Sequence, residues 1–241
     1  MKKVLLLCAL IVLPVSLVCS SPFSYPVSTV IIDPGHGGYD PGAVGTELLE
    51  KDLTLKIARK LHSLFVDEGS ITSILTRDSD EYISLSNRVK TAFQTFPGWE
   101  SKAIFISIHI NSSESAEATG YEFLIKPSGA AAPFISEDAE SWALSYFSHE
   151  KMSDLQRSLN GENYLLAHQL SEAFFEELNQ MRDRGIKEQE VYVLNENIWP
   201  SVLVEAGFLS NDEEQQMMKD DLWIDTVAKA LFDGIRAYMM R

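Results

Sequence analysis

The chain has 241 residues, 45% of them hydrophobic, with 35 acidic against 20 basic side chains and a formal net charge of −15. That is enough apolar material for one sizeable α/β domain, or for one domain with a small appendage. The acidic excess argues against nonspecific attachment to nucleic acid or anionic membranes, and electrostatics alone would not hold the protein on an anionic polymer.

Residues 1–20 have the layout of a secretory signal: Lys2 and Lys3, an apolar run over 4–18, then small residues at Cys19, Ser20 and Ser21. The run falls short of the roughly 20 residues that span a bilayer comfortably. The expectation is therefore cleavage near Ser20, export, and no stable membrane span afterwards. Lipid attachment at Cys19 is the competing reading, and Ser16-Leu17-Val18 matches the small residues of such a site poorly. Cys8 and Cys19 both lie in this leader, so the processed chain has neither disulfides nor a thiol nucleophile. Loss of Lys2 and Lys3 takes the net charge to −17.

Further along, short β-branched runs closed by glycine or polar breaks predict strands over 27–32, 71–75, 103–108, 121–125, 191–194 and 201–204. Helical periodicity falls over 53–65, 85–96, 164–178 and 224–239. Several strand runs are apolar throughout, the mark of strands covered on both faces. The alternation gives an α/β single domain: a mostly parallel, doubly wound sheet of about six strands with helices on both faces. Over 126–161, Pro127, an alanine run, Pro133 and the acidic cluster Glu137, Asp138 and Glu140 break the alternation. This segment reads as an insertion, part helix and part loop, beside the active rim.

In that architecture Asp33 to Gly38, His109 to Asn111 and Glu205 to Gly207 follow the carboxyl ends of strands and meet along one rim, where open α/β sheets place their chemistry. Glycines around His36 let backbone approach closely. Glu50 opens a helix, where an acid suits the positive end of the dipole. His36, Glu50 and His109 would give two imidazoles and a carboxylate, a common zinc set that leaves a position for water. Each also has a plainer reading: either histidine as a hydrogen-bonded turn residue, and Glu50 as a helix N-terminal acid with Glu47 or Asp52 able to compete. Glu205, between Ser201-Val202-Leu203-Val204 and Ala206-Gly207-Phe208, sits in an apolar setting where a carboxylate needs compensation. His62 and His168 fall within helices, and His149-Glu150 has Ser153 where a zincin helix needs its second histidine. The glycine turn lacks a phosphate-loop ending, Asp40 breaks the dinucleotide pattern, and no Gly-x-Ser-x-Gly elbow is present.

These pieces resemble a known family. Ile32-Asp33-Pro34-Gly35-His36-Gly37-Gly38, Asp40-Pro41-Gly42-Ala43, Glu50-Lys51-Asp52, Thr76-Arg77-Asp78-Ser79-Asp80, Ser107-Ile108-His109-Ile110-Asn111, Arg184-Gly185-Ile186-Lys187 and the run Val202 to Asn211 stand in the order found in the zinc-dependent N-acetylmuramoyl-L-alanine amidases of bacterial peptidoglycan. The resemblance covers about residues 28–240 and implies a catalytic domain there, in a protein of the bacterial periplasm or cell envelope. It implies one zinc per chain on His36, Glu50 and His109, with Glu205 as the catalytic glutamate. The reaction implied is hydrolysis of the amide between the lactyl group of N-acetylmuramic acid and L-alanine. Arg77 and Asn111, near the same rim, are candidates for orienting substrate or supporting the ligands. Some family members carry an insertion that covers the zinc until an activator protein withdraws it, and here only 150–154 resembles that segment. Capping of the zinc by Glu137, Asp138, Glu140 or Glu150 stands beside the alternative of a solvated acidic helix. Two rival functions remain: a noncatalytic peptidoglycan-binding module, and a zinc peptidase cutting within the stem peptide.

Overall fold

The computed structural model describes residues 21–134 and 140–241; the leader over 1–20, with its signal and lipid readings, and the acids Glu137 and Asp138 lie outside the described residues. In chain order the main elements are β1 (Val27–Pro34), α1 (Glu50–Glu68), β2 (Thr72–Leu75), α2 (Leu85–Gln94), β3 (Lys102–Asn111), β4 (Tyr121–Ile125), α3 (Ser141–Phe147), α4 (Met152–Glu177), β5 (Asp183–Glu188), α5 (Tyr192–Asn195), β6 (Ser201–Phe208), α6 (Asp212–Met218) and α7 (Asp221–Met239). The strands form one six-stranded sheet ordered β2-β1-β3-β6-β4-β5. Neighbouring pairs are parallel except β4 against β6. The expected α/β domain with a mostly parallel sheet is what forms.

Successive strand residues face opposite sides of a sheet, so apolar strands feed two cores. On one face Ile32, Ile106, Val202 and Val204 pack against Leu53, Ile57, Phe174 and Val227 of α1, α4 and α7. On the other, Ile31, Phe105 and Leu203 pack against Val89, Phe93, Phe147, Leu159 and Trp199. His109 and Glu205 share the parity of Phe105 and Leu203, and Asp33 that of Ile31. All three therefore emerge on the second face, at the carboxyl ends of adjacent strands.

The structure corrects the sequence reading at three places. The segment expected as a strand over 191–194 forms the single helical turn α5, with Val193 and Leu194 buried in the second core. The missing strand is β5, whose Asp183, Arg184, Lys187 and Glu188 gave no apolar run; an edge strand paired on one side needs none. β3 runs on to Asn111 and β6 to Phe208, which makes His109 and Glu205 strand residues paired in register rather than loop residues beyond the strands. Within 126–161, α3 and the start of α4 supply Ala143, Phe147, Leu155 and Leu159 to the second core, and Phe134 joins them. No helix among the described residues is long and apolar enough to cross a membrane.

Candidate metal centre

The turn that carries His36 is held from beneath by two buried arginines. Arg88 donates from Nη1 to Asp33 Oδ1 (2.7 Å) and to the Pro34 carbonyl (2.6 Å), and from Nη2 to the His36 carbonyl (2.6 Å). Arg77, 2% exposed, donates from Nε to the Pro34 carbonyl (3.0 Å) and from Nη2 to the carbonyls of Gly35 (2.7 Å) and Lys51 (2.9 Å). Asp33 also accepts from Thr76 Oγ1 (2.6 Å) and Ser107 Oγ (2.8 Å), so this buried acid is fully partnered. The guanidinium forks satisfy carbonyls that a strand ending in so tight a turn would otherwise leave unpaired.

On this base His36 adopts a left-handed backbone, φ 58°, which is uncommon for a side chain with a Cβ. Its Nδ1 lies 2.9 Å from Asp40 Oδ2 and its Nε2 3.1 Å from Glu50 Oε1. His109 Nδ1 reaches the same Oε1 at 2.8 Å. Glu50 Oε1 also accepts from the Ile110 amide (3.1 Å), and Oε2 from the Ala43 amide (2.7 Å). His36, Glu50 and His109 each offer one donor atom, all within 4.8 Å of one another. Glycine makes that closeness feasible. A Cβ at Gly35 would stand 2.4 Å from His109 Cε1, and one at Gly42 would stand 2.4 Å from Glu50 Oε2 and 2.5 Å from His36 Cδ2.

The electrostatics follow from the same contacts. Burial opposes ionisation of Glu50, yet hydrogen bonds from His109 and His36 outweigh it and hold the carboxyl well below the usual carboxylate range. Burial likewise opposes protonation of His36, and Glu50, with Asp40 behind it, overcomes this and raises its pKa. Glu205 is the opposite case. Burial pushes its carboxyl up to about 7, with His109 pulling it down and Glu50 and Glu122 adding to the rise. Its Oε2 is closed off from solvent without a hydrogen-bond partner. An N, O, N set gathered on one oxygen, beside a half-buried acid whose enclosed Oε2 has no partner, fits a divalent ion of zinc's preferences, with imidazoles at about 2.0 to 2.1 Å and a carboxylate at about 2.0 to 2.2 Å.

Asn111 donates from Nδ2 to Glu122 Oε1 (3.1 Å). Glu122, opposite Glu205 in the β4 and β6 register, accepts on Oε2 from Arg184 Nε (2.7 Å) and Lys187 Nζ (2.5 Å). Arg77 is committed to backbone carbonyls, so it positions the turn rather than reaching substrate. Glu140 and Glu150 are not among the groups brought together. Glu140 is exposed and lines a cavity with Ser86, Lys90 and Tyr192, and Glu150 has its pKa raised by burial and by Asp154. Sequence reasoning missed the roles of Asp40, Arg88 and Glu122. Asp40 carried a weak signal, four residues after a histidine in the same turn; Glu122 stood out only as a charge in an apolar run, and Arg88, in a mixed polar helix, carried no signal.

A family model for N-acetylmuramoyl-L-alanine amidase matches residues 30–237. The chain is 31% identical over 223 residues to N-acetylmuramoyl-L-alanine amidase AmiC of Escherichia coli O6:H1, a match covering 87% of this chain and 52% of AmiC, so the chain spans about half the length of that relative. Among solved structures it is similar to an N-acetylmuramoyl-L-alanine amidase from Clostridium difficile 630, with a TM-score of 0.70, 28% identity and coverage of 89% of this chain and 98% of that one. It is also similar to the CwlD amidase of Clostridioides difficile solved in complex with the GerS lipoprotein, with a TM-score of 0.66, 26% identity and coverage of 88% and 98%.

Proposed function

The chain belongs to the N-acetylmuramoyl-L-alanine amidase family, and from that membership we propose that it is an exported zinc hydrolase acting on the amide between N-acetylmuramic acid and L-alanine in bacterial peptidoglycan. The observation that carries the reading is the convergence of His36, Glu50 and His109 next to a half-buried carboxyl whose enclosed Oε2 has no partner. His36 through Nε2, His109 through Nδ1 and Glu50 through Oε1 would hold one zinc. When bound, the metal polarises the scissile carbonyl and lowers the pKa of its water toward about 7.

The remaining work falls to the chain itself. Asp40 accepts the Nδ1 proton of His36, which fixes the ring and leaves Nε2 to the metal. Glu205 takes the proton of the attacking water and returns it to the leaving nitrogen, the role open to a carboxylate paired in register with His109. Asn111 orients this edge through Glu122. No covalent enzyme intermediate is involved. Residues 1–20 would direct export, 28–240 would form the catalytic domain, and 126–161 would be an insertion within it. A protein activator is compatible with this reading, since a structural relative was solved with a lipoprotein.

The test is mass spectrometry of products from purified peptidoglycan, with and without chelation. New L-alanine amino termini that disappear with chelator and return with zinc are expected. Cleavage within the stem would make it a peptidase, and tight binding without products would make it a binding module; either result overturns the proposal.

A further inference from the structure

Resting on the amidase reading, we infer that Tyr39 and Tyr82 form a sugar-binding platform that grips the neutral glycan strand beside the scissile amide. The two rings stack with centroids 4.3 Å apart and planes 25° from parallel, and remain 79% and 42% exposed. Neither packing nor the catalytic groups account for so much aromatic surface left in water. Exposed aromatic patches of this kind mark binding sites.

Their position is specific. Tyr39 is flanked by Gly38 and by Asp40, which holds His36. Tyr82 lines a cavity of about 340 Å³ together with His36, Asp40 and His109. Three residues of chain reach at most about 10 Å, so Tyr39 cannot lie far from His36.

The platform is also rigid. Gly38 N donates to Asp80 Oδ1 (2.7 Å), and Lys51 Nζ donates both to the Gly38 carbonyl (2.8 Å) and to Asp80 Oδ2 (2.7 Å). The loops carrying the two tyrosines are pressed together as well: a Cβ at Gly37 would stand 2.1 Å from the Glu81 carbonyl oxygen, and one at Gly38 would stand 2.7 Å from the Tyr82 amide. A ligand would therefore meet a surface already ordered, which reduces the entropy lost on binding.

The chemistry favours a sugar ring. A pyranose offers an apolar face of C–H bonds bordered by hydroxyls, which suits an aromatic face with phenolic groups at its edge. Charge points the same way. With a formal net charge of −15 the protein gains nothing from long-range attraction to an anionic wall polymer. Its grip must come from the uncharged part of the substrate, the glycan.

The probe is glycan strands stripped of their stem peptides and methyl-esterified on the freed lactyl carboxylates, so that they stay neutral and carry no scissile muramoyl amide. Wild-type protein should bind them. Tyr39→Ala and Tyr82→Ala should each weaken binding about fivefold to tenfold, while Tyr39→Phe retains it. On intact peptidoglycan the same alanine variants should raise KM with little change in kcat or zinc content. Wild-type protein that does not bind stem-free strands, or a double alanine variant that binds them as wild type does, overturns the platform. Release of L-alanine termini by the wild type tests the amidase reading separately, so the two cannot fail unseen together.

Discussion

Gly35→Ala separates the geometry of the centre from its chemistry, because it adds one methyl and removes no functional group. That methyl would stand 2.4, 2.6 and 2.7 Å from Cε1, Nε2 and Nδ1 of His109, where ordinary contact begins at 3.4 Å, so the ring must withdraw by about 1 Å. His109 has nowhere equivalent to go, since its Nδ1 is placed by Glu50 and its backbone by pairing with β6. A misplacement of about 1 Å near a reacting centre costs on the order of 100-fold in rate, and overpacking of this kind costs about 1 to 3 kcal/mol of stability. Gly161→Ala is the internal control. It lies on α4 with nothing within 4 Å of the added carbon, and should stabilise the fold by about 0.5 to 1 kcal/mol while leaving zinc and turnover alone. The assays are metal content by elemental mass spectrometry, thermal melting, and the rate of muropeptide release. Full zinc occupancy and undiminished turnover in Gly35→Ala would refute the claim that the bare backbone at Gly35 is what lets His109 reach the centre.

Three further outcomes test the assigned roles. Glu205→Gln should keep its zinc and lose turnover by about 10² to 10⁴-fold in steady-state assays; full activity would remove Glu205 as the base. Asp40→Asn should weaken zinc binding about 10 to 100-fold in competition with a chelator, because it disturbs the hydrogen bond that orients His36. Between pH 4.5 and 7, above the range in which Glu50 and the other low-pKa acids act, metal-free protein should lose stability as pH rises. The Glu205 carboxyl titrates near 7 in the folded state and near 4.5 in the unfolded chain, so the fold retains a proton that the open chain releases. Its contribution is present below pH 4.5 and is gone above pH 7, at most about 3 kcal/mol. His36 acts in the same direction, so melts at acid and neutral pH should be compared with Glu205→Gln, in which the Glu205 part of the slope disappears.

How much of this was legible in the sequence depended on which interactions are local. The strand at Val27 to Ile32 and the glycine turn after it announce themselves within a dozen residues, and so does the acid that opens α1. The parity that turns His109 and Glu205 to the same face could be counted once their strands were assigned, although the strand ends were set too early. β5 was hidden because Asp183, Arg184 and Lys187 pair at an edge and present charge rather than an apolar run. Val191, Val193 and Leu194 looked like a strand because burial in the second core demands the same apolar residues from a single helical turn. The supports of the centre were the least legible. Arg88 reaches Asp33 across 55 positions, and Glu122 gathers Asn111 from β3 and Arg184 and Lys187 from β5. Such partners are fixed by tertiary packing, and no local pattern encodes them.

The segment over 126–161 shows why the capping reading needs a gentler test than deletion. A cap that leaves a metal must have a face it can detach, yet Phe134, Phe147, Leu155 and Leu159 are buried in the second core. The segment is also laced to itself: the Ala132 amide donates to Gln156 Oε1 (2.7 Å), and Asn160 Nδ2 donates to the Ser128 carbonyl (2.9 Å). Removing residues 133–160 would strip those side chains from the core, each worth about 2 to 5 kcal/mol when lost. The loss of folding would mask any release of activity. Glu140→Gln and Glu150→Gln change charge alone. Neither acid belongs to the group that converges with Glu50, so the expected result is basal muropeptide release equal to wild type in both variants. A rise in either would mean that the acid reaches the metal in the resting protein, and would overturn the assignment of this segment to the core rather than to a cap.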